Sequence, residues 1–120
     1  MRALVEELLR APRRRFVSRR ELDAPAQHGV YAILGPRGRV HHVGRTTRAK
    51  EGIRQRLLDH IGGRSSFVRL HLCGEPARLL EGFRYSYVVI ESDRLRALLE
   101  HLAVGTLCPA HLGLSRPRKV

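Results

Sequence analysis

The chain has 120 residues, a length typical of one domain with its own hydrophobic core. Its formal net charge is +12 at pH 7, from 23 Lys and Arg against 11 Asp and Glu. A domain this basic usually has a polyanionic partner, most often nucleic acid, although a basic structural or ribosome-associated protein would share this composition. With two cysteines and no apolar run near the roughly 20 residues that span a membrane, the sequence predicts a soluble cytoplasmic protein without a disulfide framework.

The positive charge is concentrated in part of the chain. Residues 28–63 hold seven basic and two acidic residues, whereas residues 64–112 are almost neutral. We predict three segments: an N-terminal helix with a basic connector (residues 1–27), a main folded domain (28–112) and a basic C-terminal tail (113–120). The helix ends at Pro12, and the connector after it shows no sustained apolar period.

Two apolar runs separated by a glycine turn follow the connector. Residues 29–34, GVYAIL, are rich in strand-forming residues, GPRG is typical of a hairpin turn, and residues 39–45 predict the return strand. The next segment, EGIRQRLLDHIG, has the apolar spacing of a helix that ends at two glycines. Its inward residues are predicted to be Ile53, Leu57, Leu58 and Ile61.

A third strand and further helices complete the prediction. Residues 64–74 alternate like a strand, but a serine cap at Ser65 or Ser66 favours a helix with an inward face. Residues 83–90 are the clearest strand, and Ser92 predicts the start of a leucine-rich helix. The inward residues of these two helices are predicted to be Phe67, Leu70 and Cys73, and then Leu95, Leu98, Leu99 and Leu102. The predicted fold is α/β (α+β), with a three-stranded, mostly antiparallel sheet flanked by helices.

Short motifs on these elements resemble those of the GIY-YIG nuclease superfamily. GVY and HVG, ten residues apart, are similar to the signature pair. IRQRLLDHI resembles the arginine-bearing helix, with the functional arginine at Arg56 and a site-facing residue one turn later at His60. RLRALLEHLAVGTLCP resembles the C-terminal helix, with the metal-binding glutamate at Glu100 and the following proline at Pro109. The resemblance covers roughly residues 28–112 and identifies them as a GIY-YIG-like nuclease domain.

The resemblance implies a divalent-metal-dependent endonuclease that hydrolyses DNA phosphodiester bonds. Such hydrolysis needs an attacking water, stabilisation of charge on the phosphoryl oxygens and help for the leaving oxygen. By the resemblance, Tyr31 and His42 handle the water, and Arg56 binds the scissile phosphate. Glu100 holds a single Mg²⁺ or Mn²⁺, because these hard cations prefer carboxylate oxygens.

Further basic residues near the motifs are predicted to contact nucleic acid. The candidates are Arg45, Arg48, Lys50, Arg54 and His60. The basic segments 13–20 and 116–119 are expected to hold the DNA backbone without sequence preference and with strong salt dependence. RNA is an alternative partner, and a homodimer or a partner protein would have to supply specificity.

Two positions depart from the family pattern. His42 stands where the second motif normally has tyrosine; in a regular strand it would share a side with Gly44 and Val40, and His41 would face the other side. An imidazole with a pKa near its usual 6.5 is a competent proton acceptor, but the change also fits a domain that has lost cleavage and kept nucleic-acid binding. The asparagine that many relatives have after the proline is absent, and His111 replaces it or the position is structural.

Structural interpretations of the same residues stay open at this point. Tyr31 is also acceptable as a strand aromatic and Arg56 as a solvent-facing helix residue. Glu100 is also a possible partner of Arg96, one turn earlier. The main alternative to an enzyme is a non-catalytic nucleic-acid-binding module on the same scaffold.

A zinc site is the remaining alternative for the functional residues. His71 and Cys73 form one candidate ligand pair, and Cys108 and His111 form another. Their spacing is irregular for a tetrahedral site, and a cysteine often serves as a small hydrophobic residue, so Zn²⁺ is not expected.

Overall fold

A computed structural model describes residues 1–48 and 50–112, so the predicted tail at 113–120 lies outside the described residues. The helices and strands are α1 Arg2–Arg10, β1 Arg14–Arg15, β2 Gly29–Leu34, β3 Val40–Arg45, α2 Gly52–Ile61, β4 Arg84–Val89 and α3 Asp93–Leu107. Shorter helical turns lie at Arg19–Glu21, Phe67–His71 and Pro76–Leu80. Within the part of the chain that the structure describes, no helix is long and apolar enough to cross a membrane.

The strands form one antiparallel sheet in the order β1-β4-β2-β3. The predicted fold class is confirmed, but the sheet has four strands rather than three. The additional strand is β1, which lies in the predicted connector, and in it Arg14 pairs with Tyr85 and Arg15 with Arg84. Two residues are too few to show a strand period, and their distant pairing partner is invisible in the local sequence.

Strand β2 lies in the middle of the molecule, with helices packed on both faces of the sheet. All of its residues are buried, which agrees with its continuous apolar run. Tyr31 and Ile33 point to the side of α2, whereas Val30, Ala32 and Leu34 point to the side of α1 and α3. The sheet therefore separates two cores, of which the first contains all three phenylalanines and all three tyrosines and the second only aliphatic side chains.

The two long helices differ in how well their apolar pattern predicts the buried side. Helix α2 buries Ile53 and Leu57 completely, as predicted. Helix α3 buries Leu99, but Leu98 and Leu102 are exposed, so part of its predicted face is wrong. The buried row of α3 instead includes Arg96, a residue that an apolar pattern leaves out.

The segment after α2 is helical, as predicted, but short and wide. Its one turn, Phe67–His71, is π-helical, and Ser65 Oγ accepts a hydrogen bond from Val68 N–H at 3.2 Å. Phe67 is buried as predicted, whereas Leu70 and Cys73 are exposed. The predicted inward face fails here because a π turn advances fewer degrees per residue than an α turn.

A bulge in β3 changes the direction of one histidine. Ile33 pairs with His42 and Leu34 with Val40, so His41 is an extra residue without a partner on β2. As a result, the ring of His41 contacts Phe83 on the α2 side of the sheet, the same side to which His42 points. The predictions that His41 faces away from His42, and that Val40 shares the side of His42, are both wrong, because one inserted residue reverses strict alternation.

Candidate functional site

The two signature motifs meet at Tyr31, which lies at the centre of β2 and is fully buried. Tyr31 pairs with Gly44 on β3, and a Cβ atom at Gly44 would lie 2.5 Å from the Tyr31 hydroxyl oxygen. A Cβ at Gly29 would lie 2.1 Å from the carbonyl oxygen of Val88. Both glycines are therefore required by close approach, and Gly44, the glycine of the second motif, leaves the space that the tyrosine ring occupies.

A chain of hydrogen bonds leads from the Tyr31 hydroxyl into the protein. His60 Nε2 lies 2.8 Å from Tyr31 Oη, and His60 Nδ1 lies 2.6 Å from Ser65 Oγ. Since Ser65 Oγ already accepts from Val68 N–H, donating its own proton to His60 Nδ1 satisfies both groups. That assignment leaves the ring proton on Nε2, which donates to Tyr31 Oη. The proton of the Tyr31 hydroxyl is then free to point toward the site.

This arrangement changes the expected roles of Tyr31 and His60. Burial raises the pKa of Tyr31 to about 12, although the nearby Arg56 guanidinium partly offsets it, so the residue is a phenol at neutral pH. It can orient a water but is a poor base. Burial, with Arg56 and His111 nearby, lowers the pKa of His60 to about 3. Because both of its ring nitrogens are occupied inside the protein, His60 is a partner of Tyr31 rather than the predicted phosphate contact.

His42 lies beside Tyr31, at the position where the family motif has its second tyrosine. The centroid of its ring is 5.9 Å from the Tyr31 ring, 5.3 Å from the His60 ring and 5.1 Å from the Phe67 ring. Its Nδ1 atom is buried and has no hydrogen-bond partner among the described residues. Burial, then the neighbouring His60, His111 and Arg56, lower the pKa of His42 well below 6.5, so the ring is neutral with an open nitrogen.

The two arginines of α2 have different positions. Arg56 lies beside the Tyr31 hydroxyl, where its charge opposes the rise in the tyrosine pKa, and its Nη1 is 3.7 Å from Asp59 Oδ2. Its Nε atom is buried and makes no hydrogen bond within the described residues. Arg54 instead donates from Nη1 to the carbonyl oxygen of Leu22 at 2.8 Å. Arg54 therefore holds the N-terminal connector against α2, whereas Arg56 faces the site.

Glu100 reaches the same site from the helix on the other side of the sheet. Its Oε1 lies 3.5 Å from Arg45 Nη1, both side chains are partly exposed, and its charge acts on the pKa of Tyr31. The alternative that Glu100 pairs with Arg96 is wrong. Arg96 is buried and pairs with Asp93.

Arg96 is a structural residue that the sequence analysis did not identify. Its guanidinium donates to the carbonyl oxygens of Thr46, Ile90 and Glu91 at 2.8–3.0 Å. These bonds tie the end of β3 to the start of α3 and thereby help to set Glu100 opposite Arg45. Five donors on a planar fork make arginine suited to gather several carbonyl groups in this way.

The remaining predicted contacts lie at the mouth of the site or outside it. Arg48 and Lys50 are exposed on the loop after β3. A cleft of about 240 Å³ runs from Arg45 past Arg48 to Asp93 and Arg96. The structure thus brings Arg48 near Arg45, while Arg54 is held on the connector.

His111 is part of the site, although it lies far from it in sequence. Its backbone N–H donates to the His41 carbonyl oxygen at 2.8 Å, so the chain after α3 runs along the free edge of β3. Its ring centroid lies 5.4 Å from that of His42, and its Nε2 is 3.5 Å from Ser66 Oγ. The residue named above as a replacement for the family's asparagine, or as a structural residue, therefore lies next to His42.

The side chains around Glu100 fit Mg²⁺ or Mn²⁺ better than Zn²⁺. Among the described residues, no three His, Cys, Asp or Glu side chains converge on a common metal position. A single partly exposed carboxylate fits Mg²⁺ or Mn²⁺, which keep most of their waters, and does not fit Zn²⁺, which takes three or four protein ligands. Cys73 and Cys108 are exposed free thiols.

The fold is that of the GIY-YIG endonuclease domain. Solved structures similar to this chain include the GIY-YIG N-terminal endonuclease domain of UvrC from Thermotoga maritima bound to its catalytic divalent cation, magnesium. That structure is 17% identical over 92% of this chain and 97% of its own, with a TM-score of 0.55. A variant with an asparagine replaced by alanine, bound to the catalytic cation, covers 97% of this chain and 100% of its own at 17% identity and a TM-score of 0.56.

A variant of the same domain with a tyrosine replaced by phenylalanine, also bound to the cation, has a TM-score of 0.56 at 17% identity over 97% of this chain and 100% of its own. No protein-family model matches the sequence, and a comparison with curated proteins gives no match. The fold that the short motifs implied is therefore confirmed by the solved structures.

Proposed function

We propose that this protein is a metal-dependent endonuclease that hydrolyses DNA phosphodiester bonds at the site around Tyr31. One observation carries the proposal. Among the described residues, the buried side-chain nitrogens without a hydrogen bond are His42 Nδ1, Arg56 Nε and Arg45 Nη1, and all three belong to this site. Arg45 Nη1 nevertheless faces Glu100 Oε1 at 3.5 Å, so the two atoms without any polar partner are His42 Nδ1 and Arg56 Nε. Buried polar atoms are rarely left unpaired, because each costs about 1–3 kcal/mol. An oxygen-rich anion with its water would satisfy His42 Nδ1 and Arg56 Nε, and it would reach Arg45 Nη1 once Arg45 turns from Glu100.

Each residue has a role that follows from its environment. Arg56, and Arg45 when it turns from Glu100, supply permanent cationic donors for the nonbridging phosphate oxygens. With its proton on Nε2, neutral His42 accepts a hydrogen bond from the attacking water at Nδ1. The free proton of Tyr31 fixes the orientation of that water or of the phosphate. Glu100 would hold the divalent cation, which supplies Lewis-acid stabilisation and a more acidic water when bound.

The same unpaired buried nitrogens favour a catalytic site over a module that only binds nucleic acid. A module that only held the backbone would need exposed cations, and this chain has many. It would not need a half-buried imidazole whose buried nitrogen is unpaired, beside a buried phenol. We also propose that DNA is the substrate, that Arg48 and Lys50 contact it at the mouth of the site, and that the protein acts in the cytoplasm. A homodimer or a partner protein would supply the specificity.

The deciding experiment is a cleavage assay on supercoiled plasmid and a short branched duplex with Mg²⁺, Mn²⁺ or EDTA. Wild type is expected to nick DNA only with metal, and Glu100→Gln is expected to lose nicking by at least about 100-fold because one neutral oxygen holds a cation poorly. Glu21→Gln, which changes an exposed glutamate outside the site, is the matched control and should cut normally. Binding without cutting from pH 6 to 9.5 would instead support the binding module, and equal cutting by both variants would remove Glu100 from the site.

A further inference from the structure

The bulge at His41 creates a second group of polar side chains beside the site. His41 Nδ1 lies 2.9 Å from His71 Nε2, so the two imidazoles share a hydrogen bond. The His71 ring stacks on Phe67 with an interplanar angle of 23°, and the edge of the His41 ring meets Phe83. Aromatic packing on both sides thus holds the pair in one orientation, in a part of the sheet that a regular strand would have turned the other way.

The outer nitrogens of this pair are available to a ligand. The shared hydrogen bond uses one nitrogen of each ring and leaves His41 Nε2 and His71 Nδ1. Within the described residues neither atom has a hydrogen-bond partner, and neither is among the buried unpaired atoms, so both have some access to solvent, His41 Nε2 at the side of Gly35. One of them carries a proton when the pair is neutral, and both carry one when the pair is protonated.

The charged side chains that act on the pair are two arginines from two different elements. Arg39 precedes β3 and Arg78 lies in the Pro76–Leu80 turn, and each lowers the pKa of both histidines. From the chain after α3, His111 faces His71. Glu75 and Glu81 flank the turn, are exposed, and form no ion pair with either arginine in the described chain. No negative charge in the described chain pairs with these cations.

The pair is also continuous with the catalytic site. The His71 ring centroid is 6.0 Å from that of His111, which is 5.4 Å from that of His42, so a row of imidazoles leads to Tyr31. Gly44, beside Tyr31, is three residues from His41 along β3, or about 10 Å at 3.3 Å per residue. Successive phosphates of one DNA strand are farther apart than their axial rise of about 3.4 Å, because the strand also winds around the axis, so a subsite about 10 Å away would hold a phosphate close to the scissile one.

We propose that His41, His71, Arg39 and Arg78 form a second phosphate-binding subsite, which holds a backbone phosphate near the scissile bond. The subsite rests on the proposed function for its ligand, a phosphodiester strand of nucleic acid. The arginines supply constant charge. The histidine pair takes up a proton as the phosphate binds, because an anion favours the charged imidazole.

This uptake predicts how binding depends on pH. Burial, and then the neighbouring cations, hold the pKa of His41 and His71 below 6.5 in the free protein. The pair is therefore mostly neutral at pH 7 and above, and binding that adds a proton becomes tighter as the pH falls. Wild-type affinity for a labelled 20-base-pair DNA duplex in EDTA should rise by about three- to tenfold from pH 8 to pH 6.

The test compares full-length variants in that binding assay, where no cleavage occurs. His41→Gln with His71→Gln should weaken binding about five- to tenfold at pH 6 and leave it within about twofold of wild type at pH 8. Arg39→Gln with Arg78→Gln should weaken binding at both values and reduce the salt slope by about one to two units. The matched controls are His101→Gln and Arg94→Gln, both exposed on α3, which should change neither. Thermal melting of each variant verifies folding.

The outcomes separate the subsite from the proposed function. If the histidine double variant keeps the wild-type pH dependence, the subsite is overturned whether or not the protein cuts DNA. If wild type binds without cutting and the double variant flattens the pH dependence, the subsite stands and the nuclease fails. Absence of any binding to the duplex overturns the subsite, and metal-dependent nicking of plasmid then decides the nuclease separately.

Discussion

The two faces of the sheet differ in amino-acid composition, and we therefore expect them to have different roles. The face toward α2, here the histidine face, contains Tyr31, His41, His42 and His60 together with every phenylalanine. The face toward α1 and α3, here the aliphatic face, buries Val, Leu, Ile and Ala around β2. Aliphatic packing provides stability without chemistry. The protein thus keeps one face for holding the fold together and the other for polar groups that folding leaves incompletely paired.

The site joins these two faces at one edge of the sheet. Glu100 belongs to α3, on the aliphatic face. Its negative charge nevertheless helps to raise the pKa of Tyr31 on the other face, and its carboxylate lies near Arg45 of the edge strand β3. An edge strand is the place where side chains of opposite faces can approach one ligand. The two cores are therefore separate, and side chains from both faces come together only beside β3.

The largest expected effect is a loss of cleavage rate when a positive charge on the histidine face is removed. Arg56→Gln should slow metal-dependent cleavage by about 100- to 1000-fold, because one preorganised cationic donor to the phosphate is lost. The melting temperature should change little. Arg54→Gln on the same helix is the control: it should cost about 1 kcal/mol of stability through the lost bond to Leu22 and leave the cleavage rate intact. Equal loss of activity in both variants would contradict the assigned positions.

The next largest expected effect is a loss of stability when a side chain buried on the aliphatic face is shortened. Leu8→Ala in α1 removes a fully buried side chain and should lower the free energy of unfolding by about 2–5 kcal/mol. Its cleavage rate per folded molecule, measured well below the melting temperature, should match wild type. Denaturant unfolding and the plasmid assay give the two numbers. A large fall in rate at full folding would show that the aliphatic face also tunes the site.

Acid should destabilise the histidine face more than the rest of the molecule. His60 has a pKa of about 3 when folded and near 6.5 when unfolded, so between these values the unfolded chain binds more protons. Stability is then complete above about pH 6.5 and is lost as the pH falls toward 3, by roughly 1 kcal/mol per pH unit for each such proton. Melting curves from pH 7 to pH 4 measure this slope. His60→Gln should flatten it and His101→Gln should not.

The smallest effect compares two glycines. Gly44→Ala should cost about 1–3 kcal/mol and reduce cleavage, because its methyl group would displace the Tyr31 hydroxyl. Gly105→Ala lies in α3, with nothing within 4 Å of the added atom, and should raise stability by about 0.5–1 kcal/mol. Thermal melting distinguishes the two signs. A neutral Gly44→Ala would mean that the tyrosine ring is not held there.

The local patterns predicted most of the elements and some of the site. The hairpin, α2, β4 and the Ser92 cap follow from apolar spacing and turn residues, which act over a few positions. The motifs placed Tyr31, Arg56 and Glu100 on separate elements, and the structure brings them near one another. Ser65 was predicted only as a helix cap and Arg96 only as a possible partner of Glu100. The bond of Ser65 to His60 and the bonds of Arg96 to backbone carbonyl groups were missed, because such partners leave no signal in the local sequence.

The sequence by itself determined the order of the elements, the nuclease-like motifs and the excess of positive charge, because each is written in neighbouring residues. The tertiary structure alone decided the fourth strand, the bulge that turns His41 toward His42, and the pairing of Glu100 with Arg45 instead of Arg96. The physical reason is the same in each case. Strand pairing and side-chain contacts join residues far apart in the chain, and a shift of one residue in register reverses which face a side chain occupies.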